Sequence, residues 1–256
     1  MKSILSFLFF LLLVSLGCGE KAEKPKAQES NGSKEIADVP NQDSEADSLY
    51  VLTPSGLSLR KEDNLSSEKL ATMPLGSPVI LLDAPAATDM AIENIEGAML
   101  EVQYEGQRGF AFSGYLSPIR LLKEGESVED YIADLKKTYP DISYESKAND
   151  PDFHEGTTDT FVLPVSQWHE AYYIVSAMYG IPKSLGFPNP EGAAKTVTED
   201  PKKPADVWDS FIATEREGNS LKKIEYSHRA EGFGYGVDMV RKSPNSFLVS
   251  YLGFVD

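Results

Sequence analysis

Apolar and polar residues follow four successive rhythms along the chain. Residues 4 to 16 are almost continuously apolar, whereas residues 19 to 48 show no apolar period at all. From Tyr50 onward, short apolar or alternating runs recur between turn formers, at 57–60, 69–73, 78–82, 99–104 and 108–112. Five short strands at this spacing predict a small β barrel. Strand parity turns Leu57 and Leu59 inward and Ser58 and Arg60 outward, and sets Leu100, Val102 and Tyr104 opposite Glu101, Gln103 and Glu105. Glu105-Gly106 is the natural hairpin turn, because Gly adopts positive φ without strain.

Beyond residue 120 the period lengthens. Ser127-Val128-Glu129-Asp130 has the form of a capping box, and Val128, Tyr131, Ile132, Leu135 and Tyr139 follow at three-four spacing, which predicts a helix over about 128–139. Strands are expected at 142–144 and 158–163, around an acidic loop. A second helix starts at Pro164, carries a stripe of Trp168, Tyr172, Val175 and Tyr179, and stops at Gly180 and Pro182. Only Ser166, Gln167, Glu170 and Ser176 read as solvated on it. Residues 182–205 read as a long loop, and strands at 207–215, 221–228, 235–241 and 246–254 complete the chain. The fold class is therefore mainly β plus α+β: a five-stranded barrel over 49–120, then an α+β domain over 121–256 with an antiparallel meander.

Composition narrows the chemistry. The 256 residues carry 24 basic and 40 acidic side chains, a formal net charge of −16, so clustered cations for a phosphate backbone are lacking and nucleic acid is set aside as a partner. A single Cys supports neither an internal disulfide nor a Cys-rich zinc site. Residues 19–48 hold four Lys, eight acids and no aromatic ring. Such a stretch cannot bury a core and is expected to act as a disordered tether with a reach of about 30 Å.

Lys2, the apolar run to Leu16 and the small Gly17 before Cys18 have the layout of a secretory signal, too short to span a membrane. The sequence Ser15-Leu16-Gly17-Cys18 resembles a bacterial lipoprotein signal. That resemblance implies cleavage after residue 17, lipid on the sulfur of Cys18 and membrane attachment through several fatty chains. Gly19, in place of the Asp that retains such proteins in the inner membrane, leans towards a place in the cell envelope at the outer membrane.

Leu57-Ser58-Leu59-Arg60, the Gly76-led strand to Ile80, the hairpin from Met99 through Gly106 to Gly109-Phe110-Ala111, and the closing Tyr115-Leu116 resemble the bacterial SH3-like family. The loop over 83–98 is longer than the pattern expects. The resemblance implies a binding module for cell-wall peptide or an envelope protein, with Arg60, Phe112 and Tyr115 as its ligand-binding residues. Parity puts Phe110 and Phe112 on one strand face, so most of that aromatic area fills the barrel.

Catalytic patterns fail one by one. His169-Glu170 lacks the second His one turn on, where Tyr173 stands, and His169 reads as a surface or half-buried residue. Asp150, Asp152, His154, Glu155 and Asp159 crowd one loop, but Glu155 and Phe161 occupy positions at which a calcium loop needs Gly and an acid. Gly232-Phe233-Gly234-Tyr235-Gly236 precedes a strand rather than a helix, so these glycines mark a bulge or a close aromatic approach. No catalytic residue, metal or cofactor is expected. The chain reads as a non-enzymatic envelope lipoprotein with a binding module. An enzyme with dispersed carboxylates in the second domain and a purely structural scaffold remain the alternatives.

Overall fold

The alternating runs of the first half do become strands, and two short ones join them. The computed structural model describes residues 48–85, 90–149 and 155–255. Cys18, the tether up to residue 47 and the loop acids Asp150 and Asp152 with His154 lie outside the described residues. β1 (Ser48–Val51), β2 (Leu57–Arg60), β3 (Lys69–Met73), β4 (Pro78–Asp83), β7 (Met99–Tyr104), β8 (Gln107–Phe112) and β9 (Leu116–Ser117) form one antiparallel sheet, in the order β3-β2-β8-β7-β4-β1-β9. β5 (Met90–Ile92) and β6 (Ile95–Gly97) make a separate hairpin inside the long loop. Leu57, Leu59 and Val102 are buried as parity requires, together with Val51, Met73, Val79 and Phe112. The β7–β8 turn places Glu105 and Gly106 at φ 49° and 80°, the mirror-image turn whose twist matches that of its strands.

In the second half, α1 (Val128–Thr138) begins where Ser127 caps it: Ser127 Oγ accepts from the Asp130 amide at 3.0 Å. Tyr131, Ile132 and Leu135 form its buried stripe. α2 (Trp168–Tyr179) starts four residues later than Pro164 suggests. Gln167 is the extended residue at its entry, and the Glu170 carboxylate reaches back to the Gln167 and Ser166 amides, one arm of a capping box. Gly180, at φ 67°, ends the helix in the left-handed region.

β10 (Tyr144–Ala148), β11 (Glu155–Leu163), β12 (Lys195–Glu199), β13 (Val207–Glu217), β14 (Ser220–Ala230), β15 (Phe233–Ser243) and β16 (Ser246–Val255) form a second antiparallel sheet, in the order β10-β11-β16-β15-β14-β13-β12. Ile212, Ile224, Tyr226, Val237, Met239, Val249 and Phe161 form its buried face, and Ala171, Tyr172, Ile174 and Val175 of α2 belong to the same core. The expected loop over 182–205 contains β12 as an edge strand. Arg216 pins the rest of that loop, donating to the carbonyls of Pro190 at 3.1 Å and Ala193 at 3.0 Å and to Thr214 Oγ1 at 2.7 Å. At Gly234 a Cβ would collide with the Phe254 ring, so the glycine admits an aromatic approach; the β14–β15 register runs through it without a bulge.

The expected boundary near residue 120 runs through one core. Leu52, Ile119 and Leu121 pack in the same buried cluster as Tyr131, Ile132 and Tyr172. All described residues fall in one compact unit. The molecule is mainly β, with antiparallel sheets and two α-helices among the described residues.

Candidate functional site

Arg60 closes β2 opposite Phe110, half-buried, and its Nη1 donates to the Ser67 carbonyl at 2.7 Å. This bond folds the β2–β3 loop back over the strand and leaves further guanidinium donors for another acceptor. Beside Arg60 opens a cleft of about 270 Å³, lined by Ser58, Leu65, Ile92, Glu93, Met99, Phe112, Tyr115 and Tyr173 among others. Arg60, Phe112 and Tyr115, named from the sequence as one ligand surface, do converge on it.

Their roles differ from those expected. Phe112, at 2% exposure, and Tyr115, at 9%, are buried and form the floor of the cleft, not an exposed aromatic face. Their rings meet edge to face at 5.7 Å, and Tyr115 meets Tyr173 of α2 in the same way at 6.4 Å. Tyr115 sits in a short 3₁₀ turn, Ser113–Tyr115, and belongs to the buried cluster of the first sheet. Gly114 is required there, because a Cβ would overlap Ile95 and the Phe112 ring.

Two of the lining residues escaped sequence reasoning. Glu93 occupies the β5–β6 turn with Asn94, both at positive φ (50° and 63°), and its Oε2 accepts a hydrogen bond from the Tyr115 hydroxyl at 3.2 Å. Glu is a poor choice for left-handed backbone compared with Asn or Gly, at a cost of the order of 1 kcal/mol. Tyr173 comes from a helix some sixty residues further on and shows no signal in sequence other than its aromatic character. Burial, and next the charge of Glu93, push the Tyr115 phenol far above its usual range and Tyr173 up to about 12. Both are neutral hydroxyls at physiological pH. The cleft thus sets one cation and one carboxylate above an aromatic floor with phenolic donors.

Immediately behind it lies the junction with α2. Ser117 Oγ donates to Glu170 Oε1 at 2.6 Å and accepts from the Ile119 amide at 3.0 Å. His169 is buried against Phe187, with ring centroids 6.0 Å apart, and burial lowers it to about 4, opposed by a hydrogen bond to the Gly114 backbone. Glu170 and His169, read from sequence as solvated and as a surface or half-buried residue, are therefore both buried, because the turn leading to β9 covers the start of α2.

A second cleft, of about 880 Å³, lies between β1, the 118–123 connection and α1. Its Arg120 is held by Glu126 at 2.6 Å and Asp134 at 2.7 Å, so that cation is already neutralised. Among the described residues no three His, Cys, Asp or Glu side chains group as metal ligands. Compared with family models, with curated proteins and with solved structures, the chain matches none.

Proposed function

We propose that this protein is a non-enzymatic lipoprotein of the bacterial cell envelope, held on the membrane by lipid at Cys18, and that its first sheet is an SH3-like barrel that binds a cell-wall peptide. The observation that carries this reading is the pairing of Arg60 and Glu93 across an aromatic-floored cleft. A wall peptide offers a carboxylate for the guanidinium and an amine for Glu93, with short apolar side chains between them for Phe112 and Tyr115. A net charge of −16 leaves Arg60 as a local attraction on a molecule that repels broadly anionic partners.

Titration of the full chain in detergent with a soluble wall peptide tests it. Arg60→Ala and Glu93→Gln are each expected to weaken binding about ten-fold or more, the magnitude of a charge-assisted hydrogen bond. Equal affinity in all three proteins removes the cleft as the site. The anchor is checked separately: Cys18→Ser is expected to move the protein from the detergent phase to the aqueous phase on phase partitioning.

A further inference from the structure

The second sheet ends in β12, the five-residue strand Lys195-Thr196-Val197-Thr198-Glu199, and among the described residues no strand covers its outer side. Backbone polar groups of an antiparallel strand alternate between its two neighbours. The Arg216 amide donates to the Ala194 carbonyl at 2.7 Å, and the Asp200 amide donates to the Ser210 carbonyl at 2.8 Å. Even-numbered residues therefore face β13, and Lys195, Val197 and Glu199 direct their N–H and C=O groups out from the free edge. Their side chains share one face, and Val197 is 66% exposed.

Natural edges of this kind are blunted by Pro, by a bulge or by a cation projecting over the edge. β12 itself contains no Pro and no bulge. It pairs with β13 without a register shift, and Lys195 lies back over its own sheet, with Nζ 2.6 Å from Glu215 Oε1. What the strand does carry is self-complementary charge. Paired antiparallel with itself about Val197, it sets Lys195 opposite Glu199 of the second copy and Glu199 opposite the second copy's Lys195, with the two valines face to face. This register also matches the outward backbone groups of the two strands, which exchange six hydrogen bonds. A shift of one residue sets outward groups against inward ones. A shift of two in either direction leaves both charges opposite uncharged residues.

We infer that β12 is a homodimer edge, joining two copies about a two-fold axis into one continuous antiparallel sheet. The partner is a second copy of this chain, because the charge pattern fits its own inverse and a two-fold interface must be self-complementary. Five residues bury little area, so the dimer is weak and concentration-dependent.

Sedimentation velocity of the full chain in detergent, over a wide concentration range at about 0.15 M salt, measures it. The wild type is expected to pass from monomer to dimer. Lys195→Glu and Glu199→Lys each set like charges across the axis at both ends and are expected to weaken the dimer about ten-fold or more. An equimolar mixture of the two variants is expected to dimerise as the wild type does, since every acid of one then faces a lysine of the other. Val197→Pro removes an outward N–H that the ladder to β13 does not use, and is expected to abolish the dimer with an unchanged urea midpoint. A wild type that stays monomeric overturns the inference. So does a dimer that the substitutions leave intact or that the mixture fails to restore.

Discussion

Tyr115 shows how much a single position depends on its surroundings. Read along the chain it is a ligand-binding residue implied by the family resemblance; in the fold its ring is floor and its hydroxyl holds Glu93. Tyr115→Ala is therefore expected to cost about 3–5 kcal/mol, the range for deleting a buried aromatic ring, and to confound any binding assay. Tyr115→Phe keeps the ring and deletes one hydrogen bond, with an expected loss of about 1 kcal/mol in urea unfolding. If Glu93 needs that bond to stay over the cleft, peptide affinity falls in Tyr115→Phe while the fold is kept. Unchanged affinity shows that the turn alone positions Glu93.

At the scale of elements, the start of α2 joins two buried titratable groups whose pH responses oppose each other. Burial holds His169 near 4 against an ordinary value of 6.5, so its contribution is full above about 6.5 and is lost as pH falls through 4. The gap corresponds to about 3 kcal/mol. Burial raises the Glu170 carboxyl, outweighing its hydrogen bonds from Ser117 and the backbone, so its contribution is full in acid and is lost as pH rises through the raised value. His169→Gln, which keeps an N–H donor for the Gly114 backbone, is expected to flatten the loss of stability between pH 6.5 and 4. Glu170→Gln is expected to be as stable as the wild type in acid and more stable at pH 7. Urea midpoints across pH separate the two, and a His169→Gln profile that superimposes on the wild type contradicts the assignment.

On the scale of the whole molecule, the shared core decides how the chain unfolds. A cut after residue 120 strips Leu52 and Ile119 of the α1 and α2 residues that bury them. It also separates Ser117 from Glu170. The fragment 49–120 is small enough to have little stability in reserve. The intact chain is expected to lose near-ultraviolet and far-ultraviolet circular dichroism in one transition, and the fragment to have a lower urea midpoint than the intact chain. Two separated transitions, with a fragment as stable as the corresponding half, establish independent domains instead.

Strands with a clean two-residue period and helices with caps were legible in the sequence, because a pleated or helical face buried on one side leaves its own spacing behind. The expected runs at 57–60, 69–73, 99–104 and 246–254 all lie within observed strands, and α1 starts at its capping serine. β12 and the β5–β6 hairpin left no such trace, since the hairpin strands have only three residues each and alternation of Thr with Lys, Val and Glu in an exposed strand reads the same in a loop. Of the candidate site, Arg60, Phe112 and Tyr115 were within reach because local parity and a resemblance mark them. Glu93 and Tyr173 were not, because what brings them to the cleft is a turn in left-handed backbone and a helix packed against the first sheet. Spacing along the chain determines which face of an element is buried. What covers that face depends on contacts between distant segments, so the burial of Tyr115, His169 and Glu170 was decided only when the two sheets came together around α2.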